Sequence, residues 1–277
     1  MQVHLTTLAS VSERRPGTIY RKRSRQFETA WILNILRHRL SGVQSYGTRY
    51  SYLNPREPIV YELANLDLQT TDGRLLIHKF YRQSEGAAGL LVVFPGNHYG
   101  VDGPLLYYPC ELLRDQGWDT LAVSYGFQTA GEGPFEQGLD VLLAECKSAA
   151  QAVLNVYQYP QLGLVGKSLG AAVVAHLCAN EPELSEARAG YLTPALGTPF
   201  FDPLFLDTSQ SAFVAVGTAD RFYSSEALEK LQSKKTFELT LVEDADHSMN
   251  VPGDLAASTE SVRKVVEGLL TFLYDGK

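Results

Sequence analysis

Three residue types in one chain order carry the chemistry this sequence could perform. Gly166-Lys167-Ser168-Leu169-Gly170 stands between the apolar run "LGLV" and the small residues Ala171 and Ala172. A serine with glycine two residues to either side suits a sharp strand-to-helix turn, where a side chain at either flank would strike the neighbouring strand or helix. The first turn of the following helix would aim free N–H groups and the positive end of its dipole at the hydroxyl. A hydroxyl attacks a carbonyl only if a base takes its proton, and that base must be held by an acid. Of the six histidines, His4 and His38 fall in a basic N-terminal segment, His78 in an early hairpin, and His176 within a helix. His98 sits in the loop "GNHYG". His247 alone follows the last strand, in "EDADHSM", and is the expected base.

The acid should lie between serine and histidine. Asp220, in "GTADRFY" just past an apolar strand, is the expected one, and Asp202, in "TPFFDP", is the competitor. Asp244 and Asp246 stand too near His247 in sequence to reach its far ring nitrogen. A tetrahedral intermediate also needs two donors for its oxyanion. The backbone N–H of Leu169 supplies one, and that of Asn97 or His98, in "FPGNHYG", the other.

These groups need a frame. Residues 59–83 read as two β-rich runs around Asp72-Gly73, a hairpin signal. Short apolar runs at 89–96, 119–127, 162–168, 187–196, 211–217 and 236–244 then read as strands. Helical spacing fills 105–118, 135–157, 169–181, 224–233 and 254–274. This alternation predicts an α/β fold with a mostly parallel sheet, flanked by helices and joined by right-handed crossovers. Ser168, Asp220, His247 and the loop 96–100 all fall after strands, at the edge where α/β sheets place functional groups.

Strand, "GKSLG", helix, then "GTAD", then "ADHSM", in the order Ser…Asp…His, resembles the α/β-hydrolase superfamily, and "FPGNHYG" resembles its oxyanion loop. The resemblance spans about residues 60–275. It implies an eight-stranded, mostly parallel sheet and a serine hydrolase that needs neither cofactor nor metal. Lys167 departs from the His, Asp or Glu of many members, and Ala171 from a further glycine. Many relatives insert a helical cap where this chain has only "GTPFFDPLFLDTSQ", room for a minimal lid. Phe200, Phe201 and Phe205, with Tyr99, Phe127 and Phe222, are candidates for a shallow apolar pocket, or else for core. The expected substrate is a small carboxylic ester or thioester, cleaved through an acyl-enzyme. A peptidase or an acyltransferase on the same residues, or a non-catalytic partner-binding relative, are the alternatives.

Composition bounds the rest. The chain has 277 residues and a net charge of −7, which argues against a nucleic-acid protein. The first 50 residues carry nine Lys/Arg against Glu13 and Glu28, a net +7, and the remainder carries −14. Residues 1–58 are therefore read as a basic extension with one helix near 26–40, and residues 59–277 as the catalytic domain. The basic arm either lies on the domain's own acidic surface or serves a membrane surface, nucleic acid or an acidic partner. Cys110, Cys146 and Cys178 form neither a disulfide framework nor a metal cluster. No apolar run reaches the ~20 residues of a membrane span, and "AWILNIL" is too short and too late for a signal peptide. The expected location is the cytoplasm.

Overall fold

The computed structural model describes residues 43–51, 60–70, 73–133, 136 and 138–274; the helix expected near 26–40 and the turn residue Asp72 lie outside them. Strands β1 (Val43–Ser51), β2 (Val60–Gln69) and β3 (Leu75–Gln83) pair antiparallel. Strands β4 (Leu90–Phe94), β5 (Asp119–Ala122), β6 (Leu162–Lys167), β7 (Arg188–Leu192), β8 (Ala212–Gly217) and β9 (Glu238–Val242) run parallel. The sheet order is β1-β2-β3-β5-β4-β6-β7-β8-β9. The eight strands β2–β9 are the expected mostly parallel sheet. β1, drawn from the stretch read as extension, adds a ninth at the antiparallel edge. Its "VQSYGTRYS" mixes β-formers with glycine and serine, which gives a strand little signature in sequence.

Helices cover both faces. α1 (Pro104–Arg114) and α7 (Leu255–Tyr274) close one, against Leu91, Val93, Val165, Phe213 and Ala215. α3 (Leu139–Leu154), α4 (Leu169–Asn180) and α6 (Ser225–Gln232) contribute to the other, against Val92, Phe94, Leu164, Val214 and Val216. All five residues of β4 and all six of β8 are consequently buried. This is why those strands read as unbroken apolar runs. Two short helices, α2 (Gly126–Ala130) and α5 (Asp202–Asp207), lie in loops. Several elements are shorter than their periodicity suggests. The run 119–127 gives up its strand after Ala122, because Gly126 and Phe127 turn into α2.

The topology makes a crevice. From β4 the chain steps outward to β5, then returns past β4 to β6 and continues the other way to β9. The loops after β4 and β6 therefore diverge, and the gap between them is where α/β sheets hold ligands.

His78 shows how the sheet treats a buried titratable group. It is fully buried on β3, and its Nδ1 accepts the Ser124 backbone N–H at 3.0 Å. The Nε2 atom has no partner among the described residues. Burial pushes this imidazole down to about 4. Between the ordinary value near ~6.5 and 4, the unfolded chain binds a proton that the folded chain excludes, so stability falls as pH falls through that window. The loss approaches about 3 kcal/mol at roughly 1.4 kcal/mol per pH unit. Urea unfolding at pH 7 and pH 4.5 measures it. His78→Asn keeps an acceptor for Ser124 and cannot titrate, so its unfolding free energy should vary less with pH than that of the parent. Equal pH dependence in both would exclude His78 as the source.

Candidate active site

β6 ends at Lys167 and α4 starts at Leu169, so Ser168 makes the turn alone. Its backbone sits at φ 56°, ψ −110°. Such conformations cost a residue with a Cβ about 1–3 kcal/mol and persist only where the surroundings hold them. The holding groups are the Ser168 N–H, which donates to Leu192 O at 2.8 Å, and the Ala171 N–H, which donates to Ser168 O at 2.9 Å. Both flanking glycines are required by contact. A Cβ on Gly166 would lie 2.0 Å from Gly170 O, and one on Gly170 would lie 2.1 Å from Phe94 O. α4 thus sits directly on the ends of β4 and β6.

The histidine loop is fastened to β8 by similar means. A Cβ on Gly217 would lie 2.1 Å from Ala245 O, so only glycine lets the loop lie across this strand end. Ala219 N–H donates to Ala245 O at 3.0 Å, and Asp244 N–H to Thr218 Oγ1 at 2.8 Å. Asp246 Oδ1 accepts the N–H groups of Ser248 and Asn250 and closes the turn around His247. His247 Nδ1 lies 2.7 Å from Asp220 Oδ2, and Nε2 lies 2.9 Å from Ser168 Oγ. An ionised carboxylate only accepts, so Nδ1 carries the proton and Nε2 is free to accept the serine hydroxyl. Asp220 is buried, and its Oδ1 accepts the Phe222 N–H at 2.9 Å. The ring of Phe222 meets the His247 ring edge-on at 5.1 Å. Asp202 lies elsewhere, with both carboxylate oxygens accepting the Gly197 N–H.

Asn97 and His98 stand in the loop after β4. Gly96 N–H donates to Tyr99 O at 2.9 Å, closing a tight turn. Sequence reasoning missed the struts beneath it. Gln128 Nε2 donates to Gly96 O and Asn97 O, and the Tyr125 hydroxyl donates to Pro95 O. Gln128 belongs to α2, whose first two residues the sequence pattern gives to the strand 119–127 and whose last three it leaves unassigned, and no motif marks it. The exposed His98 ring accepts from its neighbour Asn97 Nδ2.

The expected apolar pocket needs correction. Phe127, Phe201 and Phe205 are core residues. Phe201 stacks on Phe205 at 5.2 Å, both meet Tyr191 edge-on, and Phe127 stacks on Tyr125. Each gains more from leaving water there, about 1.5–3 kcal/mol, than from lining an open surface. Phe200 is 56% exposed. Tyr99 and Phe222 do contact the site, through Lys167 and His247. A cavity of about 500 Å³ opens at the opposite edge of the sheet, between Lys147, Tyr159, Glu181 and Arg188. Among the described residues no three His, Cys, Asp or Glu side chains gather as metal ligands, and no helix is long and apolar enough to cross a membrane.

A family model described as an alpha/beta hydrolase domain matches residues 111–273. The chain belongs to that family. No curated protein matches it. Similar solved structures include a Xanthomonas campestris protein described as an α/β serine hydrolase without lid, at 19% identity and TM-score 0.59 over 82% of this chain and 100% of that one. A cold-adapted esterase from an Arctic intertidal metagenomic library aligns at 17% identity and TM-score 0.60, over 83% and 99%. A dienelactone hydrolase from Anabaena variabilis aligns at 17% and 0.56, over 82% and 98%. At these identities the likeness is one of fold.

Proposed function

We propose that this chain is a serine hydrolase that cleaves a carboxylic ester or thioester through an acyl-enzyme. The observation that carries this is the unbroken chain from Asp220 through His247 to Ser168, at 2.7 and 2.9 Å. Ser168 Oγ attacks the acyl carbon while His247 Nε2 takes its proton. Asp220 stabilises the imidazolium that forms. The oxyanion accepts from the Leu169 N–H and from the N–H of Asn97 or His98. His247 then hands the proton to the departing alkoxide or thiolate, leaving the acyl group on Ser168. In the second half, His247 takes a proton from water as its oxygen attacks the acyl carbon. Collapse of that intermediate frees the acid and returns the proton to Ser168. The names esterase and dienelactone hydrolase, borne by proteins of the same fold, fit this reading. Three free, buried cysteines fit a cytoplasmic setting.

A panel of p-nitrophenyl esters, acyl-CoAs and peptides tests the bond class. Turnover of short-chain esters or acyl-CoAs well above that of peptides is expected; a folded protein that cleaves peptides alone would overturn the ester reading. The catalytic unit is taken as residues 59–277. A chain beginning near residue 55 should then keep most of the activity on a small ester, even though it lacks β1. A folded but inactive truncated chain would make the N-terminal segment part of the site.

A further inference from the structure

Lys167 is the one long side chain of the elbow that the hydrolytic mechanism leaves unused. Along β6 the side chains alternate. Gly166 faces α4, so Lys167 faces the opposite side, with α1 and α7. It is 2% exposed. Its Cδ lies 3.2 Å from where a Cβ on Gly96 would sit, so the stem runs beneath the loop 96–100. The ammonium ends 4.9 Å from the centroid of the Tyr99 ring. That ring is itself fixed: the Leu105 N–H donates to its hydroxyl at 2.9 Å, and a Cβ on Gly103 would meet its edge at 2.3 Å. Asp220 and Arg221 act on the ammonium from the loop between β8 and α6, and Asp246 from the loop that carries His247. Among the described residues Lys167 has neither a hydrogen bond nor an ion pair. A buried ammonium held chiefly by an aromatic face is costly, and such groups concentrate where charge is used.

We propose that Lys167 is a positioning residue of the Ser168 site: its ammonium, seated on the Tyr99 ring, pins the loop 96–100 beside the serine and sets a fixed positive charge behind the N–H groups that receive the oxyanion. The proposal rests on the serine-hydrolase reading. Negative charge develops on the acyl oxygen between Leu169 and this loop, and a cation close by, itself shut away from water, favours that charge over the neutral ground state. The cation also anchors the ring by its attraction to the π face. Burial pushes the ammonium down to about 8, Asp220 and Asp246 pull against that, and Arg221 adds to it. The charge is therefore present at neutral pH and is lost as pH rises through the region of 8, which gives the site an alkaline limb.

The experiment follows p-nitrophenyl acetate hydrolysis by the full chain from pH 6 to 10, less the spontaneous rate, for the parent, Lys167→Met, Lys167→Arg and Ser168→Ala, with folding checked by circular dichroism. The parent is expected to lose about tenfold in kcat across the alkaline limb, with KM little changed. Lys167→Met should be about tenfold slower at pH 7 and show no such limb. These losses are smaller than the hundredfold or more that follows removal of a direct oxyanion donor, because the charge acts through the loop. Lys167→Arg, whose charge persists throughout this range, should also lack the limb while staying faster than Lys167→Met. An alkaline limb unchanged in Lys167→Arg overturns the proposal, whether or not Lys167→Met folds. Variants that match the parent while Ser168→Ala is inactive remove this proposal alone. Full activity in Ser168→Ala removes the hydrolase reading and this proposal with it.

Discussion

Ester hydrolysis by the Ser168→Ala chain is expected to fall by about a millionfold in turnover, if the site behaves as serine hydrolases do when the nucleophile is deleted. Among the described residues no other hydroxyl pairs with His247 Nε2. Ser124 Oγ, just past β5, donates to Ile77 O, and Ser248 follows His247 with its N–H donating to Asp246 Oδ1. The fold should survive, because alanine keeps a Cβ in the same φ 56° conformation and removes only a hydroxyl. Thermal unfolding should therefore shift little. A fluorophosphonate probe should label the parent chain, with the modified tryptic peptide containing Ser168, and leave the variant unlabelled. Labelling that persists, or that maps to Ser124 or Ser248, would remove Ser168 as the nucleophile.

The second large effect belongs to the acid. Asp220→Asn should lower turnover by at least about a hundredfold and by as much as about ten-thousandfold, the loss seen when a serine protease undergoes the same exchange. An amide at this position still offers an acceptor to Phe222 N–H. Toward His247 Nδ1 it can present its NH₂ group, which drives the ring proton to Nε2 and leaves nothing to accept the Ser168 hydroxyl. Asp202→Asn should cost less than about tenfold, because that carboxylate serves the Gly197 N–H at the head of α5. Both variants are compared on one ester with folding checked. The reverse ranking would move the acid to Asp202.

The parts legible in the sequence are those where one residue type is forced. Gly166 and Gly170 are marked because any Cβ there strikes backbone; Gly217, equally constrained at the histidine loop, carries no such mark in the sequence. Asp220 and His247 are marked because each follows an apolar strand in a polar loop. Fully buried strands announce themselves as apolar runs. What resists reading is carried by long-range contact. Gln128 braces the loop 96–100 from 28 or more positions away, and nothing local distinguishes it from a surface glutamine. Phe201 and Phe205 look alike as pocket wall or core, since an aromatic ring suits either, and only the position of Tyr191 decides. β1 was hidden because strand pairing supplies what its composition lacks.

The turned-in aromatic pair also bears on the fate of a covalent intermediate. With Phe201 and Phe205 drawn into the core against Tyr191, neither ring is free to wall in an acyl group on Ser168. Enzymes that move acyl groups to a chosen alcohol or amine keep water away from the reactive ester by closing over it. Ser168 is itself part-buried, and on the proposed reading an acyl group there is taken to stand open to water. Competing nucleophiles would then divide the product by their concentration and intrinsic reactivity, and added methanol would raise the methyl-ester fraction in simple proportion. On the proposed reading, the free acid is then the product expected in water.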